Sequence, residues 1–389
     1  MITDSNLTKI IRLSLFGKGN INEINVCKSD FDEMRRQTVS SIAGDVIDDI
    51  NTPQQLRAEW KQSIAVSIVR YTRVMRAQQK MTDILSANGI KPVILKGISA
   101  GMYYPAPEYR EMGDVDFIVK NSDFEKAYSL LKNAGYDDNH GYNPRHITLE
   151  KNGVIFELHH HFSDSTNRNK EQVIDKILDA AIDSAERHNR NGFTWYTFES
   201  VENGLVLLQH IRGHLFTGLG LRQIIDWMMY VYSEMTEENW KIFEPLAEKC
   251  GNKELAIVVT RMCILYLGLP DIYPWCRNAK EDDCGKLLDY VLTKGNFGKN
   301  KNSASSRTIS ALNYGGRNLI ARFKYEQLSG LSHWKAAGKY KILRPFAWIY
   351  GIGHHMAMLK QDGETVQSII NGIKESKQQR KLLEGLIHE

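Results

Sequence analysis

The stretch from Lys91 to Lys120, KPVILKGISAGMYYPAPEYREMGDVDFIVK, decides how the rest of the chain is interpreted. It contains a short apolar run, Val93–Leu95, which predicts a strand, and a turn follows at Lys96-Gly97. Small residues and a proline-bearing loop lead to a second predicted strand, which carries Asp114 and Asp116. Because alternate side chains of a strand share a face, these two carboxylates are expected to point the same way.

This carboxylate pair predicts a metal site. Two carboxylates held side by side repel each other unless a cation lies between them. Oxygen ligands suit hard divalent cations, so Mg²⁺ or Mn²⁺ is expected at Asp114 and Asp116. An isolated Asp-x-Asp is more often a solvated strand end or turn, so the interpretation depends on the residues around it.

A predicted hairpin supplies a third acid. The polar run His146–Glu150 is followed by Asn152-Gly153 and then by VIFELHHHF. Asn-Gly between two strand-like runs is a strong hairpin signal, so Glu157 is predicted to lie on a strand beside the Asp-x-Asp strand. His159 would share the face of Glu157 and either hydrogen-bond it or reach a phosphate.

Three consecutive histidines, His159 to His161, raise the alternative of a zinc site. Only His159 and His161 share a strand face, and a catalytic zinc site needs a third protein ligand from another element. No such ligand is evident close by in the sequence. The metal site is therefore predicted at the acids, and His160 is expected to be buried on the opposite face.

These motifs resemble the nucleotidyltransferase fold that polymerase-beta-like enzymes share, a sheet with two acids on one strand and a third on its neighbour. They are most similar to a poorly characterised bacterial nucleotidyltransferase family. Its members carry a Leu-Lys-Gly turn, an Arg and a Gly before Asp-x-Asp, and a Glu-Leu-His strand. The corresponding residues here are Leu95-Lys96-Gly97, Arg110, Gly113-Asp114-Val115-Asp116 and Glu157-Leu158-His159, and the resemblance covers about residues 30 to 270.

The resemblance implies transfer of a nucleotidyl group from a nucleoside triphosphate, ATP among them, to an acceptor, with release of pyrophosphate. Asp114, Asp116 and Glu157 are the expected catalytic and metal-ligating residues, with Mg²⁺ or Mn²⁺ as the cofactor, and their carboxylates should line one cleft. The expected nucleotide-binding residues are Lys96, Gly97, Ser99, Arg110, His159, His214 and Asp226. The acceptor stays open between a small molecule, a sugar, a protein and RNA.

Two alternatives belong to other functional classes. Nucleotide-sugar glycosyltransferases also hold Mn²⁺ with an Asp-x-Asp pair, but they do not need a Lys-Gly turn before it or a third acid on a neighbouring strand. A catalytically inactive nucleotide-binding module is the other alternative. Because all three acids are present, nothing in the sequence favours it.

Composition and periodicity predict an α+β fold. The chain has 389 residues, of which 42% are hydrophobic and 25% charged, as in globular proteins of two or three domains. We expect a small mixed-sheet nucleotidyltransferase domain flanked by an N-terminal helical segment and a larger C-terminal helical region. The expected boundaries are 1–85 for the N-terminal helical segment, 86–165 for the catalytic domain, 166–293 for a helical domain closing the cleft, and 294–389 for a basic, mostly helical region.

Helical patterns flank the predicted sheet. Thr52-Pro53 opens a long helix that continues to Ala87, with an apolar stripe at three- and four-residue spacing. From Lys170 onward strand signals fade, and amphipathic helices are predicted at Lys170–Arg187, Glu199–Phe216, Leu221–Glu234, Glu237–Cys250 and Lys253–Leu267.

Two of these helices carry the predicted residues His214 and Asp226. His210 and His214 are four residues apart, hence on one helix face, and Arg222 and Asp226 repeat that spacing on the next helix. The family resemblance implies that this helical pair closes over the nucleotide. Alternatively, the histidines and the Arg–Asp pair satisfy one another inside a helical bundle.

Charge and cysteine usage complete the expectations. The segment 294–344 contains eleven Lys or Arg residues and a single acid, and interleaved aromatic residues make it a candidate for contact with RNA or an anionic membrane surface. Five cysteines without a C-x-x-C pair argue against a disulfide framework. With no signal peptide and no apolar run long enough to span a bilayer, the expected location is the cytoplasm.

Overall fold

The computed structural model describes residues 5–138, 145–162, 168–215, 218–294 and 334–361, with the isolated positions 323, 326–327, 330–331 and 374. At its centre is a six-stranded sheet with the strand order β3-β4-β2-β1-β6-β5. The strands are β1 Val93–Leu95, β2 Val115–Ile118, β3 His146–Lys151, β4 Val154–His159, β5 Glu186–Arg190 and β6 Phe193–Thr197.

The pairing of β2 with β4 positions the acids. These two strands are parallel, and their register places Asp116 directly opposite Glu157. Strands β3 and β4 form the predicted antiparallel hairpin. Its turn residues Asn152 and Gly153 both have positive φ, 52° and 69°, as a two-residue hairpin loop requires. The predicted hairpin and the predicted neighbourhood of the two acid-bearing strands are therefore confirmed.

Helices cover both faces of the sheet. Those described are α1 Asn6–Phe16, α2 Lys28–Arg36, α3 Gln54–Ser86, α4 Ile98–Gly101, α5 Phe124–Asn133, α6 Arg168–Ala181, α7 Ser200–His214, α8 Leu221–Glu234, α9 Glu237–Lys249, α10 Lys253–Met262, α11 Glu281–Lys294, α12 Lys335–Lys339 and α13 Ala347–Gln361. A π-helical turn, Cys263–Leu267, follows α10. The long helix α3 and the helices from α7 to α10 lie close to their predicted positions.

Alternation along the strands separates two hydrophobic cores. Val115 and Phe117 of β2 are buried with Phe156 of β4 against α3 and α5. The opposite face of β1, carrying Val93 and Leu95, is buried in the larger core that includes α7 and α8. Because Asp116 and Glu157 alternate with the first set, they point toward the α7–α8 side, as the sequence predicts.

The second hairpin of the sheet was not predicted. The expected helix Lys170–Arg187 is wrong at its end, because α6 stops at Ala181 and β5 begins at Glu186. Strand β5, ERHNR, is polar and mostly exposed, so it lacks the alternation that would reveal a strand. Strand β6 pairs in parallel with β1, so the sheet extends past the expected boundary at residue 165.

The α+β fold is confirmed, with helices before and after the mixed sheet. Within the described ranges, no helix combines the length and apolar character needed to cross a bilayer. Most of the basic segment 294–344 lies outside the described residues.

Candidate active site

A cavity of about 260 Å³ lies between the sheet and helices α7 and α8. The sheet and its adjoining loops contribute one wall, and α7 and α8 contribute the other. Its lining contains most of the predicted site residues together with several that were not predicted: Lys96, Gly97, Arg110, Gly113, Asp114, Asp116, Arg145, His146, Glu157, His159, Phe162, Gln209, His210, Gly213, His214 and Arg222.

The turn after β1 brings Lys96 and Gly97 to the cavity. Both residues have positive φ, 61° at Lys96 and 50° at Gly97. A lysine in this region is unusual, and such backbone conformations concentrate at functional sites. A Cβ at Gly97 would meet only Met112, at 3.6 Å, so it is the backbone conformation rather than crowding that favours glycine there.

The three predicted acids converge in the cavity. Ligand oxygens of Asp114, Asp116 and Glu157 all lie within 4.8 Å of one another. Asp114 is exposed and lies directly before β2, whereas Asp116, within the strand, is only 4% exposed. The geometric expectation that these carboxylates line one cleft is therefore confirmed.

Cations already face this acidic cluster. The Lys96 Nζ lies 2.6 Å from the Asp116 Oδ1, and the His159 Nε2 lies 3.0 Å from the same oxygen. Burial disfavours the charged form of Lys96, but the carboxylates of Asp116, Asp114 and Glu157 outweigh that effect and raise its pKa. Lys96 therefore stays protonated and offsets part of the negative charge.

Glu157 remains ionised despite its burial. Desolvation alone would raise the pKa of Glu157, but its hydrogen bond with His159 and the charge of Lys96 lower it below the usual value. For His159, burial lowers the pKa, whereas hydrogen bonds with Asp116 and Glu157 raise it above the usual value. Each side chain thus favours the charged form of the other.

Arg110 and Asp226 form a buried ion pair. The Arg110 Nε donates to the Asp226 Oδ1 and its Nη2 donates to the Oδ2, each at 2.7 Å. The Tyr104 hydroxyl donates to the same carboxylate, also at 2.7 Å. Gly101 allows this arrangement, because a Cβ there would lie 3.3 Å from the Arg110 Cδ. The sequence spacing suggested that Asp226 pairs with Arg222, whereas its bidentate partner is Arg110.

Arg222 is left facing the cavity. Its Nη1 donates to the Glu111 carbonyl at 3.2 Å, while its buried Nε has no hydrogen-bond partner among the described residues. Burial lowers the pKa of Arg222, and the neighbouring charge of Arg110 lowers it further. An anion entering the cavity would offset both effects, because it would favour the charged form of Arg222.

Two histidines of α7 line the same wall. The rings of His210 and His214 are in edge-to-face contact, with centroids 4.6 Å apart. Burial and the charge of Lys96 lower the pKa of His214 to about 3, and the same causes lower that of His210 well below its usual value. Both rings are therefore neutral at physiological pH and can offer hydrogen bonds, but no charge, to a ligand.

Ser99 does not reach the cavity. It is fully buried, and its hydroxyl donates to the Ile94 carbonyl at 2.8 Å. Its own carbonyl accepts from Asn203 at 3.1 Å, which ties α4 to α7. The predicted direct contact between Ser99 and the nucleotide conflicts with this placement, because the chain after Gly97 turns into α4 and carries the hydroxyl into the core. The position of Ser99 shortly after the Lys96-Gly97 turn in the sequence did not show in which direction its side chain points.

Several cavity residues were missed from the sequence. Arg145, His146 and Gln209 line the cavity without having been selected as site residues. His146 is opposite His159 in the β3–β4 register, so the hairpin prediction contained the signal for it. Gln209 and Arg145 carried no comparable motif.

Comparison with known proteins adds one match. A family model described as "Uncharacterised nucleotidyltransferase" matches residues 31–268. The chain belongs to this family. The matched range of this nucleotidyltransferase-family protein contains the whole sheet, the three acids and both helices of the opposite wall. No curated protein matches the chain. Family membership supports a role in nucleotidyl transfer.

Proposed function

We propose that this protein is a metal-dependent nucleotidyltransferase, which transfers a nucleotidyl group from a nucleoside triphosphate to an acceptor and releases pyrophosphate. The observation that carries the proposal is the convergence of Asp114, Asp116 and Glu157 beside Lys96 in one cavity. Membership of the nucleotidyltransferase family supports the reaction class. A fold alone would not support it, because function depends on the site.

The donor set fits a hard divalent cation. Asp114, Asp116 and Glu157 would hold Mg²⁺ or Mn²⁺, since all three offer carboxylate oxygens that lie within 4.8 Å of one another. When bound, such an ion neutralises phosphate charge, favours deprotonation of the acceptor hydroxyl and stabilises the leaving pyrophosphate.

Lys96 and Arg222 would bind the phosphate oxygens of the triphosphate. Lys96 sits on the positive-φ turn beside the acids, and its ammonium group lies 2.6 Å from the Asp116 Oδ1. Arg222 presents a buried guanidinium that no carboxylate contacts among the residues that the structure describes. Charge-assisted hydrogen bonds of this kind are about twice as strong as neutral ones. Gly97 would allow the backbone to approach the phosphates.

Arg110 and Asp226 would act by positioning. Asp226 occupies the Nε and Nη2 side of the Arg110 guanidinium, and the Nη1 lies 3.6 Å from the Met112 Sδ, so the side-on bidentate face is not open to a phosphate. Asp226 is 1% exposed, and its charge is balanced by Arg110. The pair would instead fix α8 against the loop before β2 and so hold Arg222 at the cavity.

Glu157 would accept the proton of the attacking hydroxyl. Its lowered pKa keeps it ionised, and an ionised carboxylate can act as a general base. A positioned base contributes roughly 10²- to 10⁴-fold to the rate. His159 contacts both Glu157 and Asp116 and would orient them, while neutral His210 and His214 would offer hydrogen bonds to the nucleotide or the acceptor.

Asp116→Asn tests the proposal. The four nucleoside triphosphates are screened with Mg²⁺ or Mn²⁺ against metabolite pools, and pyrophosphate release and triphosphate-induced thermal shifts are measured. The variant should lose metal-dependent triphosphate binding and turnover, because it removes a charge at nearly constant shape. Asp48→Asn, an exposed change outside the cavity, is the matched control.

Two results would contradict the proposal. Normal turnover by a folded Asp116→Asn variant would move the chemistry away from this cluster. A thermal shift with a diphospho-sugar, together with none from any triphosphate, would instead favour the glycosyltransferase alternative. The acceptor that increases pyrophosphate release identifies the substrate class.

A further inference from the structure

Three residues of the hairpin β3–β4 form a second group of potential metal ligands. His146 and His159 are directly opposite each other in the antiparallel register, and Glu157 lies two residues before His159 on the same face. One ligand atom from each of the three residues lies within 4.8 Å of the other two. The group shares Glu157 with the Asp-x-Asp cluster but uses imidazole nitrogens in place of the two aspartates.

The distances from the two imidazoles to Glu157 are close to those between ligands of one ion. The His146 Nε2 lies 3.4 Å from the Glu157 Oε1, and the His159 Nε2 lies 3.5 Å from the Glu157 Oε2. Two ligand atoms that are each about 2.1 Å from one ion are about 3.0 to 3.4 Å apart at angles between octahedral and tetrahedral. The two nitrogens face different oxygens of Glu157, so the carboxylate would bind one ion through both oxygens, or turn to offer one of them, without rearrangement of the strands.

The second nitrogen of His159 is oriented for this role. Its Nδ1 lies 3.4 Å from the His161 carbonyl, to which only an N–H can donate. Metal-bound histidines commonly donate their other ring N–H to a backbone carbonyl, which directs the remaining lone pair to the ion. With Nδ1 protonated, the Nε2 faces Asp116 and Glu157, so either a proton or a metal cation must lie between it and these carboxylates.

We propose that His146, Glu157 and His159 bind a divalent first-row transition ion of the Mn²⁺, Co²⁺ or Zn²⁺ class, adjacent to the oxygen site at Asp114 and Asp116. Two imidazoles and a carboxylate suit such ions better than Mg²⁺, which prefers oxygen ligands alone. Three protein ligands leave coordination positions open, as in catalytic rather than structural sites. The site deepens the proposed function by giving the cavity a transition-metal preference, but metal binding there can be tested without assuming nucleotidyl transfer.

Cobalt is a suitable probe, because Co²⁺ gives visible absorption bands that report its ligands. The full-length protein is treated with a chelator and titrated with Co²⁺ in the absence of nucleotide. Wild type and Asp114→Asn should both develop the bands. His146→Gln should lose them and bind Co²⁺ at least about tenfold more weakly, since even an outer-shell partner is worth ~10–100-fold. His188→Gln, on the distant strand β5, is the matched control and should behave as wild type.

Wild-type bands and affinity in folded His146→Gln would overturn the inference. If that variant does not fold, a crystal of the wild-type protein soaked in Co²⁺ decides the matter by anomalous scattering. A peak between the three side chains supports the site, and a peak only at Asp114 and Asp116 overturns it. Loss of the bands in His146→Gln with no triphosphate binding by wild type would leave the inference standing and remove the proposed reaction. Retained bands in His146→Gln together with triphosphate binding by wild type would overturn the inference and leave the proposed reaction standing.

Discussion

Replacing Asp226 by Asn separates a positioning role from direct nucleotide binding. The change keeps the side-chain shape but removes the charge that the Arg110 guanidinium contacts through two 2.7 Å hydrogen bonds. Asp226 and Arg110 are 1% and 4% exposed, so Arg110 would remain buried without a counter-charge. Removing one partner of such a pair costs about 3–5 kcal/mol in the free energy of unfolding. The retained Asn oxygen can still accept from Tyr104, which favours the lower end of that range.

The loss should be visible as a lower melting temperature. At about 1–2 °C per kcal/mol for a chain of 389 residues, the midpoint should fall by roughly 3–10 °C. Thermal and urea unfolding followed by circular dichroism measure this loss. The double variant Arg110→Met with Asp226→Leu is the control, because it removes both buried charges and should recover much of the stability.

Two outcomes would refute this reasoning. An unfolding free energy for Asp226→Asn within about 0.5 kcal/mol of wild type would mean that the pair does not hold the fold together. In the second outcome, the double variant recovers its stability but loses triphosphate binding completely, while Arg110→Met alone loses less. That result would assign Asp226 a direct role at the nucleotide.

Four further predictions follow from the cavity and its surroundings. Arg222→Gln should weaken triphosphate binding by about 10- to 150-fold, which is the value of a hydrogen bond to a charged group, as measured by calorimetry. The exposed control Arg76→Gln should bind as tightly as wild type. Equal affinities of Arg222→Gln and wild type would exclude Arg222 from phosphate binding. Ser99→Ala should cost about 1 kcal/mol of unfolding free energy and leave triphosphate affinity unchanged, whereas lost affinity would restore its predicted contact. His214 is neutral in the folded protein with a pKa of about 3, so it disfavours folding as pH falls from about 6.5 toward 3. Urea unfolding of His214→Gln should therefore depend less steeply on pH there, by up to about 1.4 kcal/mol per pH unit, and an unchanged slope would contradict this. RNA or anionic-lipid binding by segment 294–344 should fall steeply with salt and disappear on truncation before Asn300, with triphosphate binding retained; a folded truncation that still binds these polyanions would refute it.

Local sequence signals were sufficient for the strands that carry the acids. Asn152-Gly153 fixes a two-residue turn, and the turn fixes the register of β3 against β4. Period-two alternation then determines which face Asp116 and Glu157 share. No local sequence signal specifies that β2 pairs in parallel with β4, because this pairing forms in the tertiary structure. The family resemblance, which places the acids on neighbouring strands, was the basis for predicting that the two strands are neighbours.

Side-chain partners across the fold could not be predicted in this way. The spacing of Arg222 and Asp226 allows a pair within α8, yet Asp226 pairs with Arg110, 116 residues away in the chain. Arg110 holds Asp226 through two 2.7 Å hydrogen bonds at once, and a charge-assisted bidentate pair of this kind is stronger than a single contact. Strand β5 was not predicted for a related reason. It forms by pairing with β6, and it lacks apolar residues of its own that would indicate a strand.

The pairing of Asp226 with Arg110, and not with Arg222, determines where positive charge lies in the cavity. If Asp226 neutralised Arg222, the α8 wall would be uncharged, and the unpaired guanidinium would be that of Arg110, on the same wall as Lys96. With Asp226 bound to Arg110, Arg222 keeps its charge on the wall opposite Lys96. A divalent ion at the acids would also replace Lys96 as the partner of Asp116 and so free its ammonium group for phosphate. Metal and triphosphate should therefore bind cooperatively. The metal ion would neutralise the carboxylates that repel the triphosphate, and the triphosphate would bind the Lys96 ammonium that repels the metal ion.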